Sequence, residues 1–175
     1  MNELIIRELS PGDAEQLIVY TKQIGGESDN LTFGADGFPV TVEKEREILQ
    51  SMIDDPHSVM LGVWRGDNLI ADGSLNSLPR RMSHRAALAM TVSKANWNQG
   101  IGSMLMERLI QYAKDNGIEL IYLEVRKDNA AAIHLYEKFG FIQTGTLPAY
   151  LKIGNEYIDF ISMCLDLRFC MDPGL

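Results

Sequence analysis

The chain is poor in basic charge, in cysteine and in long apolar runs, and each shortage closes off a class of function. Lys and Arg number 16 against 24 Asp and Glu, a net charge of −8 over 175 residues. Such a balance disfavours a surface that neutralises the phosphates of a duplex, so no nucleic-acid partner is expected. The two cysteines, Cys164 and Cys170, are too few for a disulfide framework and lack metal-ligand spacing. They read as reduced thiols, and no metal is expected. No apolar stretch approaches the roughly 20 residues of a membrane helix. The opening Met1 to Glu8 also lacks the basic start and apolar core of a secretory signal, so the expectation is a cytoplasmic protein with no membrane partner. What is present is a 46% apolar composition, enough for a buried core. The length suits a single domain over residues 1–175, with its core from about 4 to 167.

The pattern of elements is mixed. Leu4 to Glu8 reads as a strand, and Ser10-Pro11-Gly12-Asp13 as a helix start, with Ser as cap and Pro at the first helical position. That helix should stop at Gly25-Gly26. A polar loop from Gly26 to Pro39 follows, then a helix capped by Thr41 and running to about Met52. Ser58 to Trp64 and Leu69 to Leu75 form a hairpin around Arg65 to Asn68, and Arg85 to Val92 is a further strand. Ile101 to Ala113 carries apolar residues at helical spacing and ends at Asn116-Gly117. A strand over 120–125, a helix over 129–139 and strands over 141–146 and 157–167 complete the chain. The order β-α-α-β-β-β-α-β-α-β-β predicts an α/β fold with a mixed sheet and helices on both faces.

Two features point to chemistry. Gln99-Gly100-Ile101-Gly102-Ser103 follows a strand and opens a helix, where glycine lets a ligand approach the backbone and free N–H groups favour an anion. It is no P-loop, because no Gly-Lys-Ser/Thr follows, and it comes too late in the chain for a nicotinamide fold. From Gly73 to Met106 there is no Asp or Glu, while Arg80, Arg81, Arg85 and Lys94 all fall there. This predicts a positive field at the turn, unless the stretch is merely buried strand. The segment Gly26 to Asp55 leans the other way, with Glu27, Asp29, Asp36, Glu43, Glu45, Glu47, Asp54 and Asp55 against Lys44 and Arg46. It is either a solvated acidic face or an attractor for a cationic substrate.

Val92 with Gln99-Gly100-Ile101-Gly102, then Leu123-Glu124-Val125-Arg126 and Asn129 to Phe141 (N-x-x-A-I-x-L-Y-E-K-x-G-F), resembles the GCN5-related N-acetyltransferase (GNAT) family over about residues 4 to 167. The resemblance implies that family's acyl-CoA N-acyltransferase fold, with a splayed central sheet between the strand ending at Val92 and the strand 120–125, and acetyl-CoA held in the splay as co-substrate. By resemblance, Met90, Thr91 and Val92 offer backbone groups to the pantetheine arm. Gln99, Gly100, Ile101, Gly102, Ser103 and Met104 hold the pyrophosphate, and Asn129 hydrogen-bonds the pantetheine. Tyr136 would protonate the leaving thiolate; without the resemblance it reads as a core aromatic.

The chain departs from the family pattern at two places. Trp97 stands where many relatives carry Gln or Arg. Ala87 stands where many carry the glutamate that activates the acceptor amine, so the base must come from elsewhere. Glu124 is the first candidate, alongside a structural role for it, and Glu27 the second. The expected activity is acetyl transfer to a primary amine of a small molecule or peptide, in a protein that many relatives would suggest is a homodimer. The alternatives are a coenzyme A-binding module without transfer and an enzyme using a longer acyl-CoA.

Overall fold

A computed structural model describes residues 3–168; Cys170 lies outside them. Seven strands form one sheet: β1 (Leu4–Glu8), β2 (Val59–Arg65), β3 (Asn68–Ser77), β4 (Arg85–Val92), β5 (Leu120–Arg126), β6 (Ile142–Ile153) and β7 (Glu156–Asp166). Their spatial order is β1-β2-β3-β4-β5-β7-β6. All neighbours are antiparallel except β4 and β5. Four helices complete the fold: α1 (Ala14–Gly25), α2 (Val42–Asp54), α3 (Ile101–Asp115) and α4 (Ala130–Lys138). The chain belongs to the mixed α/β class expected from its element order.

Local chemistry sets the boundaries. Before α1, the Ser10 amide donates to Asp13 (2.8 Å), which also takes both guanidinium nitrogens of Arg7 (2.7 and 2.8 Å). The cap ties the end of β1 to the start of the helix. Thr41 Oγ accepts the Lys44 amide (3.2 Å) and opens α2. The inner side of α3 is Ile101, Leu105, Met106, Leu109 and Ala113, all fully buried against the sheet. The helix lies close because Gly73 on β3 has no side chain. A Cβ there would stand 2.9 Å from Leu109 and 3.0 Å from Leu105. The opposite face is covered by α1 and α2 through Leu17, Tyr20, Ile24 and Leu49, which pack on Trp64 and Leu69.

One strand is twice the expected length. It is expected to end at Thr146, and β6 instead continues through Pro148 to Ile153. A proline is tolerated here because β6 is a sheet edge with no neighbour to accept its missing N–H. The register slips between Leu147 and Leu151, and Ala149 takes a φ of 52°.

Candidate active site

The sheet opens between β4 and β5. They pair only at Arg85 to Ala87 with Leu120 to Tyr122. Beyond Ala87 they diverge, although β4 stays paired to β3 and β5 to β7. The Leu78 amide donates to the Arg85 carbonyl and the Ser93 amide to the Ile70 carbonyl. Antiparallel pairing alternates, so odd residues of β4 direct their backbone groups to β3. Met90 and Val92 therefore turn theirs into the opening, where no strand pairs. This alters one expectation: the backbone of Thr91 is committed to Asp72 on β3, and only its side chain is left for a ligand. The Val92 carbonyl accepts the Trp97 indole N–H (2.7 Å), leaving the Val92 N–H and both groups of Met90.

The opening ends at the glycine turn. Gly100 has a φ of 79° and sits as the cap of α3, a conformation that costs a side-chain-bearing residue about 1 kcal/mol or more. The first intrahelical bond runs from the Met104 amide to the Gly100 carbonyl (3.1 Å). The amide of Met104 is thus closed, and those of Ile101, Gly102 and Ser103 are the ones a helix leaves unpaired. A Cβ on Gly102 would meet Leu135 of α4 at 3.2 Å, so glycine lets the two helices meet beside the turn.

The cations beside the turn are not mainly those the sequence suggested. Arg80, Arg81 and Arg85 lie at the start of β4 or before it. Eight residues of strand, at about 3.3 Å each, separate them from the turn. Lys94 stands near the turn, and two unforeseen cations join it. Lys138 of α4 reaches Ser103 Oγ (3.4 Å), and Arg65 donates to Gln99 Oε1 (3.1 Å) and Asn96 Oδ1 (2.7 Å). Neither could be found from chain position, because Lys138 and Arg65 are each more than 30 residues from their partners.

Asn129 caps α4: its Oδ1 accepts the Ala132 amide (3.3 Å), and its Nδ2 remains available as a donor. Tyr136, on the same helix, is 8% exposed and packs on Phe141 with the rings tilted and their centroids 5.8 Å apart. Burial pushes its phenol up to about 12, so the hydroxyl stays protonated at neutral pH.

The other face of the opening is a groove. Ala89 is exposed and Ala87 and Thr91 are half-buried, although β4 is the central strand. These small side chains form a floor that the helices cover only in part, Tyr20 of α1 reaching Thr91. Glu124 and Arg126 of β5 lie on the same face, since Ala87 is level with Tyr122. Arg126 Nη1 donates to the Asp29 carbonyl (3.0 Å), so the loop after α1 spans the opening. Glu27 in that loop accepts the Lys94 amide (2.6 Å) and the Gln23 side chain (2.9 Å). Glu124 is exposed beside Tyr150, whose phenol is pushed up by burial and then by that carboxylate. Tyr150 stacks on Phe160 (4.6 Å).

Under the floor lies a group absent from the sequence reading. Asp72, 8% exposed in β3, accepts a hydrogen bond from Thr91 Oγ, which is in turn 2.8 Å from the Tyr20 hydroxyl. The signal was an acidic residue inside the apolar strand Leu69 to Leu75. Among the described residues no three carboxylate, imidazole or thiol groups gather closely enough to hold a metal ion. A hollow of about 390 Å³ elsewhere, lined by Arg7, Asp13, Gln16 and Trp64, lies at the far edge of the sheet, where Arg7 and Asp13 bond each other.

A sequence model of the Acetyltransferase (GNAT) family matches residues 29–141, which include the opening, the glycine turn and α4. The chain belongs to the GNAT acetyltransferase family. It is similar to the L-amino acid N-acetyltransferase AaaT of Escherichia coli, at 40% identity over 83 residues, 46% of this chain and 50% of that one. It is also similar to the ribosomal protein bS18-alanine N-acetyltransferase of Salmonella typhimurium, at 39% identity over 69 residues, 39% of this chain and 47% of that one. The chain thus spans about half the length of these curated relatives. A solved GNAT acetyltransferase from Streptococcus pneumoniae superposes with a TM-score of 0.90 at 29% identity, covering 94% of this chain and 99% of that one.

Proposed function

We propose that this protein transfers an acetyl group from acetyl-CoA to a primary amine of a small molecule or peptide by direct attack of the amine on the thioester. The observation that carries this reading is the unpaired edge of β4 beyond Ala87, which leads into the free amides at the start of α3. Backbone groups that no strand satisfies are suited to an extended amide-bearing arm, and the helix start to its diphosphate. The similar enzymes act, by their names, on an amino acid and on a ribosomal-protein alanine, which supports an amine acceptor.

In this reading the bound thioester supplies an activated acetyl carbonyl. Met90 and the Val92 N–H align the arm. The amides of Gln99 to Ser103 hold the diphosphate, with Lys138, Lys94 and Arg65 around them. Asn129 donates its free Nδ2 to the arm. Tyr136 gives its proton to the departing sulfur; its phenol is protonated at neutral pH when the thiolate forms. Glu124 and Glu27, the bases suggested by the sequence, stand on the two rims of the groove, where each can pair with an incoming ammonium.

A free-thiol release assay with acetyl-CoA and a broad panel of amines tests the reading. Transfer predicts amine-dependent release. Coenzyme binding without release for any amine would instead mark a binding module, and faster release from a longer acyl-CoA would change the donor. Tyr136→Phe deletes only the hydroxyl. It should lower turnover on the order of 10²–10⁴-fold while calorimetry finds acetyl-CoA affinity nearly unchanged. Wild-type turnover in Tyr136→Phe would remove the acid from this residue.

A further inference from the structure

The acceptor amine arrives protonated near neutral pH, and β4 carries no carboxylate: its residues on the groove side are Ala87, Ala89 and Thr91. Resting on the transfer reading above, we propose that Thr91, backed by the buried Asp72, is the proton acceptor for the incoming ammonium: Thr91 Oγ takes a proton from the ammonium as it hands its own to Asp72.

The geometry supports this in three ways. First, Thr91 stands on the groove floor, one residue from the free backbone groups of Met90 and Val92. Its side chain is on the acceptor side while its backbone is held by β3. Second, its hydroxyl hydrogen is directed at Asp72, so the Tyr20 hydroxyl donates to it (2.8 Å). An alcohol oxygen has two lone pairs. One receives Tyr20, and the other has no donor among the described residues, which leaves it for an N–H from the groove. Third, Asp72 is a carboxylate without a cation. No Lys or Arg among the described residues pairs with it. A buried charge left so is costly, and such costs concentrate at functional sites.

The charges around Asp72 have one sign. Glu45 faces it from α2, and Glu27 lies near Tyr20 at the end of α1. On β2 its neighbour is Gly62, which offers nothing, and Arg7 on β1 is bonded to Asp13. Burial first, and Glu45 after it, lift Asp72 to about 6, so it is ionised but a competent base at neutral pH. Burial holds the Tyr20 phenol well above its ordinary value, which keeps Tyr20 a donor. The step balances. An ammonium N–H bond breaks and a Thr91 O–H bond forms, the former Thr91 hydrogen joins Asp72, and the nitrogen keeps its lone pair for attack. Nothing is oxidised, and Asp72 releases the proton to water after turnover.

The test uses pH profiles of kcat/KM from pH 5 to 10. The acceptor is whichever of the twenty L-amino acids or an alanine-initiated peptide gives the fastest thiol release with wild type. Wild type should gain activity through a limb near pH 6. Asp72→Asn and Thr91→Val should each lose that limb and fall about 10²-fold or more at pH 7. The deficit should shrink toward pH 10, where free amine is abundant. Thr91→Ser, which keeps the hydroxyl, should restore the wild-type profile. A wild-type limb in Asp72→Asn, or an equal loss at every pH, overturns the relay. If Asp72→Asn does not fold, the contrast between Thr91→Val and Thr91→Ser decides alone: equal profiles overturn it. Wild type that releases no thiol with any amine would overturn the transfer reading itself, a different result from a relay failure in an active enzyme.

Discussion

Asn129 caps α4 and is proposed to hold the coenzyme arm as well. Its Oδ1 caps α4 and its Nδ2 would donate to the coenzyme arm, so Asn129→Ala should lose both. The cap is worth about 0.5–2 kcal/mol of stability, and a hydrogen bond to a neutral amide roughly 0.5–1.5 kcal/mol of affinity. Asn129→Ser separates them: thermal melting should return to near wild type while acetyl-CoA affinity, read by calorimetry, stays weakened. Full recovery of affinity in Asn129→Ser would leave Asn129 a cap only. At Asp72 the expectation concerns stability. Its pKa is raised in the folded state, from an ordinary carboxyl value to about 6. The native state therefore holds the proton longer than the unfolded chain, and the contribution present below about pH 4 is lost as pH rises through about 6. Asp72→Asn should remove that loss. It should melt higher than wild type at pH 8, with the difference closing near pH 4, even while activity falls. An Asp72→Asn protein less stable than wild type at pH 8 would show that the carboxylate is held more favourably than its burial implies.

The glycine turn and α4 act as one element pair. Gly102 meets Leu135 so closely that even Gly102→Ala must displace that side chain by a few tenths of an ångström. Gly102→Ala should therefore fold and weaken acetyl-CoA binding modestly. Gly102→Asp places a carboxylate beside the amides proposed to hold the diphosphate, and binding should be nearly lost with circular dichroism unchanged. Unchanged affinity in a folded Gly102→Asp protein would move the diphosphate elsewhere. The elements themselves were largely legible. Arg85 to Val92 and the start of α3 at Ile101 appear where periodicity and glycine placed them. The limits of β6 were not, because Pro148 reads as a terminator unless the strand is known to be an edge.

On the scale of the molecule, the opening exists because β4 and β5 are each held from outside, by β3 and β7, while buried residues of α3 and α4 join the same core as those of both strands. A ligand that fills the opening binds only the folded chain. At 100 times its Kd, acetyl-CoA should add about 2.7 kcal/mol, or roughly 5–11 °C in melting temperature for a chain of this size. The shift should shrink at high salt, because part of it comes from charges around a diphosphate. Gly102→Asp should abolish it. A salt-independent shift would argue against an anion site at the start of α3.

The sequence by itself determined the element order, the amphipathic face of α3, the glycine turn and the family, because these rest on local propensity, periodicity and contiguous motifs. It also showed that position 87 lacks a carboxylate. Only the tertiary structure decided which groups meet across the chain. Register turned the Thr91 backbone away from the opening and its hydroxyl toward Asp72 and Tyr20, 19 and 71 residues distant. It removed Arg80, Arg81 and Arg85 from the glycine turn and brought Arg65 and Lys138 to it. Charge close together along a chain can be a strand's length apart in space, and strand pairing, which sets that distance, is fixed by packing far from the motif.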